Sequence, residues 1–334
     1  MSIARPLPTD RIAIVAEIGN NHEGNPDAAR AMVRAAAEAG CDAVKLQVFR
    51  ADWFVRPSDP DRLARMRGFE LAPEVTVEVL RLIRELGMSA VATPLDMPSL
   101  ELLVPEVDAL KIASGDNDVV PLLAAAAATS LPLILSTGLA DMNDLVRAVG
   151  IVHAARGEHA DLTLLQCTSA YPVAPEDANL RAMFTLAGRF GLPVGYSDHT
   201  LGVEVAVMSA AAGAVMIEKH FTLDHHTSDF RDHQLSAEPD EMRELVRRVR
   251  QVERALGSPV KSPRPAEEPL QVAARRSIVA ARELAPGECI TPADLTWMRP
   301  RDGLAPGQEN LVVGRRVARA VAFGESIQLD DLAA

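Results

Sequence analysis

Asp27-Ala-Ala-Arg-Ala-Met-Val-Arg-Ala-Ala-Ala-Glu-Ala-Gly-Cys-Asp-Ala-Val-Lys-Leu-Gln-Val-Phe49 holds the pattern that decides the fold. Its first half is Ala-rich with helical periodicity, which predicts a helix over 27–39, and the run after Gly40 predicts a strand over 43–49. A helix followed directly by a short apolar strand is half of a βα repeat, and the same alternation runs in both directions along the chain. Strands are expected over 12–18, 43–49, 88–93, 109–113, 133–136, 163–167, 193–196 and 214–220, with helices such as 73–86, 142–155 and 239–256 between and after them. Eight such units predict an α/β chain folded as a TIM (β/α)8 barrel. A doubly wound open sheet would need a glycine-rich turn after its first strand, and Ile18-Gly-Asn-Asn-His-Glu-Gly24 is not a dinucleotide fingerprint.

Beyond residue 256 the character changes. Residues 257–270 carry four prolines in a polar stretch, as a semi-extended linker would. The tail then contains Gly287-Glu-Cys-Ile-Thr-Pro-Ala-Asp-Leu295 and Gly324-Glu-Ser-Ile-Gln-Leu-Asp-Asp-Leu332, with Gly-Glu, Ile and Asp-Leu equally spaced in both. Two readings stay open: a pair of ordinary turns with short capped helices, or a small pseudo-symmetric β-rich module. The expected organisation is a barrel over 1–256, a Pro-rich linker over 257–272 and a small domain over 273–334.

With 334 residues and a formal net charge of -12, the chain is long enough for one large and one small domain and lacks the basic surplus of a non-specific nucleic-acid binder. No apolar run is long enough to span a membrane, since the longest, 119–135, is broken by Pro121, Thr129, Ser130 and Pro132. No secretory h-region precedes the first strand, so the expected location is cytoplasmic. Cys41, Cys167 and Cys289 are odd in number and widely spaced, which predicts reduced thiols in apolar surroundings. The expected partner is a small molecule. If it is anionic, a local cluster of cations must bind it against the overall field.

In a TIM barrel the chemistry sits at the C-terminal ends of the strands, and the unusual residues fall there. They include Glu17, Lys45, Gln47, Thr93, Lys111, Ser114, Ser136, Tyr171, His199, Glu218 and His220. Alternation along a strand puts Lys45 with Gln47 on one face, and Glu218 with His220. Each buried lysine has two possible partners, a shared anionic ligand or an internal carboxylate such as Glu17, and Ser114 and Ser136 favour the anion. His199 and His220 end neighbouring strands and can be core histidines or two ligands of one ion. Two imidazoles with open positions suit Mn2+ or Mg2+ acting as a Lewis acid.

These motifs, Ala16-Glu-Ile-Gly-Asn-Asn-His-Glu-Gly24, Lys45-Leu-Gln47, Ala92-Thr-Pro94, Lys111-Ile-Ala-Ser-Gly115, Leu135-Ser-Thr-Gly138, Cys167-Thr-Ser-Ala-Tyr-Pro172, Gly195-Tyr-Ser-Asp-His-Thr-Leu-Gly202 and Glu218-Lys-His-Phe-Thr-Leu-Asp224, resemble in order those of the sialic acid synthase family. The tail resembles the antifreeze-like (SAF) domain of that family. The resemblance implies condensation of phosphoenolpyruvate (PEP) with an N-acylated hexosamine to a nine-carbon 2-keto acid and phosphate. It also implies that Lys45, Gln47, Thr93, Lys111, Ser114 and Ser136 contact PEP, that His199 and His220 hold the metal, and that Glu17 sits near the reacting centre. Tyr171 and Asp232 would contact the sugar, and Arg299 would enter the partner subunit's site in a domain-swapped homodimer. Asp116, Gln166 and Ser169 depart from residues common in the family, as does Phe230-Arg-Asp-His-Gln-Leu-Ser236, which leaves the sugar open. The competing readings are a related PEP aldol synthase acting on a different sugar or a sugar phosphate, and a non-catalytic carbohydrate-binding protein.

Overall fold

The computed structural model describes residues 6–333. It divides into two compact units at Gly257/Ser258. In the first, eight parallel strands close into a barrel: β1 (Ala13–Gly19), β2 (Ala43–Val48), β3 (Ser89–Pro94), β4 (Ala109–Ile112), β5 (Leu133–Ser136), β6 (Leu162–Cys167), β7 (Val194–Asp198) and β8 (Met216–His220). Each pairs with its neighbours in sequence, and β8 closes on β1. All eight expected strands are present, including the short runs at 133–136 and 163–167.

Strand alternation gives the barrel two apolar layers. Ile14, Ala16, Ile18, Val44, Leu46, Ala90 and Ala92 face outward and pack with the helices in one large core. Ala13, Val15, Ala43, Val91, Ala109, Ile134, Leu165 and Met216 form a separate cluster inside the barrel. Continuing the inward-facing positions toward the C-terminal ends replaces these apolar residues with Glu17, Lys45, Thr93, Lys111, Ser136, Cys167 and Glu218. The interior is thus apolar below and ionic above. On β7 the inward position is Gly195, where a Cβ would lie 2.5 Å from the Met216 carbonyl oxygen and 2.7 Å from Leu165 Cδ2.

The helix Pro26–Ala39 begins where Asn25 accepts hydrogen bonds from the Asp27 and Ala28 amides at 2.9 and 3.2 Å and Pro26 occupies the first turn. It ends at Gly40, in the left-handed conformation that lacks a Cβ penalty. The helix Pro239–Leu256 closes the outer ring against it, and Arg250 donates to Asp42 and to the Ile12 carbonyl at 2.6 and 2.7 Å. Residues 50–72 also carry structure that was not expected, the helices Ala51–Phe54 and Pro60–Phe69.

In the second unit β9 (Ser277–Ala280) pairs antiparallel with β10 (Leu295–Met298). Isolated bridges join Val279 to Ser326, Leu284 to Val321, Cys289 to Arg316 and Val317 to Leu332, and Ile278, Leu284, Ile290, Val317, Val321 and Ile327 belong to its apolar core. The module is pseudo-symmetric. Arg282 donates to Asp294 at 2.8 Å, pairs with Glu288 at 2.5 Å and donates to its neighbour's carbonyl at 3.0 Å. Arg319 repeats all three contacts with Asp331 at 2.7 Å, Glu325 at 2.7 Å and the Ala320 carbonyl at 3.0 Å. The repeated Gly-Glu…Asp-Leu segments are therefore two copies of one clasp. Residues 257–272, read as an extended linker, include the start of a short helix, Glu268–Ala273. Cys289 is exposed, contrary to expectation, because Ile290 beside it takes the inward position. Among the described residues no helix is long and apolar enough to cross a membrane.

Candidate active site

The C-terminal mouth of the barrel brings together Glu17 on β1, Lys45 and Gln47 on β2, Thr93 on β3, Lys111 on β4, Ser136 on β5 and Glu218 on β8. Lys45 Nζ lies 3.1 Å from Glu17 Oε2, 3.3 Å from Glu218 Oε2 and 3.5 Å from Thr93 Oγ1. Lys111 donates to the other oxygen of Glu218, which also accepts from Ser197 Oγ at 2.9 Å. Two ammonium groups thus face two carboxylates, all four buried. Burial raises the Glu17 carboxyl above its ordinary range, and Lys45 offsets this only in part. Burial also opposes ionisation of Glu218, but Lys111 and Lys45 together hold its carboxyl well below the usual range. The two partners open to the lysines in sequence are resolved in one respect: within the protein itself, both pair with carboxylates.

Strand alternation alone puts Glu218 on one face with His220 and gives it no role; its position between both lysines does. Gln47 Nε2 donates to Glu17 Oε1 at 3.0 Å, and Asn20 Nδ2 donates to Gln47 Oε1 at 2.9 Å. Ser136 Oγ is buried without a hydrogen-bond partner, and Ser114 Oγ accepts from the Gly138 amide at 3.1 Å.

His199 and His220 stand side by side, ring centroids 5.3 Å apart, with the Tyr171 ring 4.3 Å from the first and 6.0 Å from the second. His199 Nδ1 lies 2.9 Å from the Thr168 carbonyl oxygen. A carbonyl only accepts, so Nδ1 carries a proton, and Nε2 offers a lone pair to a ligand when the ring is neutral. Burial favours that neutral form, but Cys167 and the Thr168 carbonyl outweigh it and raise the imidazole above its ordinary value, so an ion binding there displaces a proton. His220 is buried with Nδ1 unpartnered, and burial together with the neighbouring His199 pushes its imidazole well below the ordinary value, toward the neutral form a metal requires. Among the described residues no three His, Cys, Asp or Glu side chains cluster as a metal site. The donor set therefore fits an ion only as two imidazoles with water or substrate oxygens completing the shell.

Beside the imidazoles opens a cavity of about 890 Å³, within the range of small-ligand sites. Asn20, Glu23, Gln47, Tyr171 and Asp232 line one part; Phe54, Met66, Phe69 and Phe230 form an apolar wall, with Arg62, Arg65 and Arg231 around it. Phe69 meets Phe230 edge-on at 5.0 Å, and Arg231 lies 4.8 Å over the Tyr171 ring. The β1 loop is held over this cavity by Gly24, whose φ of +74° and would-be Cβ contact of 2.0 Å with the Gly68 carbonyl admit no side chain. His233 Nε2 meets Glu23 Oε1 at 2.9 Å and its Nδ1 meets Thr222 Oγ1 at 2.7 Å, tying the same loop to the segment that carries Asp232. Gln166 and Ser169 line a second cavity of about 640 Å³ beside Gly138 and Cys167, whereas Asp116 lines neither. Arg299 follows β10 on the second unit and is exposed.

The NeuB family model matches residues 32–261, and the SAF domain model matches 275–333. The chain belongs to the NeuB family. It is an enzyme of the nonulosonic acid synthase family with a C-terminal SAF domain, as the motifs led us to expect. It is 39% identical over 330 residues to the N,N'-diacetyllegionaminic acid synthase of Legionella pneumophila, covering 94% of this chain and 92% of that one. It is 31% identical to the pseudaminic acid synthase of Campylobacter jejuni, covering 96% of each. Among solved structures, the N-acetylneuraminic acid synthetase of Leptospira borgpetersenii, in complex with citrate, superposes with a TM-score of 0.74 at 33% identity, covering 78% of this chain and 90% of that one.

Proposed function

We propose that this NeuB-family protein condenses PEP with the open-chain aldehyde of an N-acylated hexosamine, giving a nine-carbon 2-keto acid and phosphate. The observation that carries this reading is the adjacency, in one barrel mouth, of a lysine–carboxylate cluster, two imidazoles and a roomy half-apolar cavity. Lys45 and Lys111 bind the carboxylate and phosphate of PEP, with Gln47 and the hydroxyls of Thr93, Ser114 and Ser136 completing the cradle. Tyr171 and Asp232 hold the sugar so that its aldehyde carbon lies against C3 of PEP. A divalent ion on His199 and His220 would act as a Lewis acid toward the aldehyde oxygen.

C3 of PEP forms the new C–C bond as the aldehyde oxygen gains a proton. Water then adds its oxygen to C2 and gives up one proton, which balances that taken by the aldehyde oxygen. The bond from C2 to the bridging phosphate oxygen breaks, and the remaining proton of the C2 hydroxyl passes to the departing phosphate, leaving the keto group. Glu17, buried and raised, is placed to hold or move one of these protons. Arg299, carried on the SAF unit, binds the N-acyl group of the sugar in the partner subunit of a domain-swapped homodimer.

For the sugar we take a neutral substrate, ManNAc or a di-N-acetylated 6-deoxyhexose. The wall of Phe54, Met66, Phe69 and Phe230 suits acetyl methyls and a 6-methyl group, and the 39% identity to a diacetyllegionaminate synthase supports the second. Arg62, Arg65 and Arg231 favour a competing sugar phosphate. Phosphate release with PEP, Mn2+ and a panel of neutral and 6-phosphorylated N-acyl hexosamines decides between them; no turnover with any of the panel would overturn the proposed reaction.

A further inference from the structure

On β7 and β8, alternation that turns Ser197, Glu218 and His220 toward the interior turns Asp198 and Lys219 the other way, under the helical layer. Lys219 is 1% exposed and Asp198 fully buried. They are opposite one another in the β7–β8 register, and Lys219 Nζ lies 2.9 Å from Asp198 Oδ2. The same ammonium donates to the Thr200 carbonyl oxygen, while Asp198 Oδ1 accepts from the Thr200 amide at 3.0 Å and the Thr200 hydroxyl at 2.9 Å. An apolar pair could fill this space without desolvating two charges, so stability alone gives little reason for an ion pair here. What the pair holds is the backbone from 198 to 200. His199 lies in the middle of that segment, and its carbonyl oxygen accepts from the Val173 amide at 2.9 Å, two residues beyond the Tyr171 ring that stacks on it. Lys219 is in turn the chain neighbour of His220.

We propose that Lys219 and Asp198 are positioning residues for the two imidazoles: their buried pair clamps the 198–200 turn to β8 and so fixes His199 against His220. Neither residue touches the substrate or the ion. The proposal rests on the reading of His199 and His220 as metal ligands, and it adds the element that sets their spacing.

The test is Mn2+ binding by full-length protein, read by calorimetry and by loss of the free Mn2+ electron paramagnetic resonance signal. Asp198→Asn with Lys219→Met removes both charges together, which leaves no orphaned ion and keeps the melting temperature near that of the parent. We expect this double variant to bind Mn2+ at least about 10-fold more weakly, the loss typical of disturbing groups that orient metal ligands. Its kcat falls while KM for PEP is unchanged. A folded double variant with parental Mn2+ affinity would overturn the proposal. Should the double variant not fold, Thr200→Val, which removes one hydroxyl bond to Asp198, decides: weaker Mn2+ binding supports the clamp and unchanged binding rejects it. If His199→Ala binds Mn2+ as the parent does, the metal reading itself fails and the clamp with it, an outcome separate from the others.

Discussion

Glu218 receives Lys45 on one oxygen and Lys111 on the other, so each lysine substitution has a cost both with and without substrate. Lys111→Met leaves a buried carboxylate short of a partner, and unfolding in urea should show a loss of about 3–5 kcal/mol. The same variant should lose about 100-fold or more in kcat/KM for PEP, as removal of one preorganised donor does elsewhere. Asp116 makes a second prediction. Burial raises its carboxyl to about 6, with the nearby Asp118 adding to the effect. A carboxyl that holds its proton more tightly when folded contributes most below its unfolded value near 4, and that contribution is lost as the pH rises through about 6. Thermal melts should therefore show Asp116→Asn gaining on the parent between pH 4 and 7; parallel profiles would contradict this. Much of the site was legible at this scale, because a lysine or histidine near the end of an apolar strand has few bland explanations. Glu218 went unassigned since its partners come from β2 and β4, and spacing along one strand says nothing about what lies across a barrel. Phe54, Arg62, Arg65, Met66 and Phe69 of the cavity wall escape the sequence for a different reason: they sit on the helices Ala51–Phe54 and Pro60–Phe69 inside the β2 loop, where no apolar period announces an element, and only the fold brings them to Phe230 and Arg231 after β8.

Among the elements, the loop after β1 is the one most constrained by backbone geometry. Gly24→Ala would place a methyl against the Gly68 carbonyl in an unfavourable φ region, costing more than about 1 kcal/mol and shifting the loop that carries Asn20 and Glu23. Sugar KM should rise in this variant with little change in KM for PEP. The eight strands were readable because alternating apolar runs and Ala-rich helices leave no other economical arrangement. The tail was only half readable. Its repeated Gly-Glu…Asp-Leu spacing was visible, but the arginine completing each clasp precedes the segment, and only the folded chain brings Arg282 to Asp294 and Arg319 to Asp331. Asp294→Ala and Asp331→Ala should lower the melting temperature of the second unit by similar amounts, as equivalent positions of a pseudo-repeat must.

At the scale of the whole molecule, two separate apolar cores flank an exposed stretch that runs from residue 254 to 276. Limited proteolysis should cut within that stretch and leave both units intact. If Arg299 serves the neighbouring subunit, mixing inactive Arg299→Ala and His199→Ala proteins should restore part of the activity through hybrid dimers. Mixtures that stay inactive would confine each site to its own chain. The cluster of Lys45, Lys111, Glu17 and Glu218 carries two positive and two negative groups when all are ionised, so the barrel throat is neutral while the chain as a whole is at -12. A trianion entering that throat would bring uncompensated charge into a region of low polarisability, and Glu17, whose carboxyl burial already raises, is the group expected to take up a proton in response. Substrate capture and hydrogen-ion uptake then become one linked equilibrium: the heat of PEP binding should depend on the ionisation enthalpy of the buffer, and affinity should rise as the solution becomes more acidic.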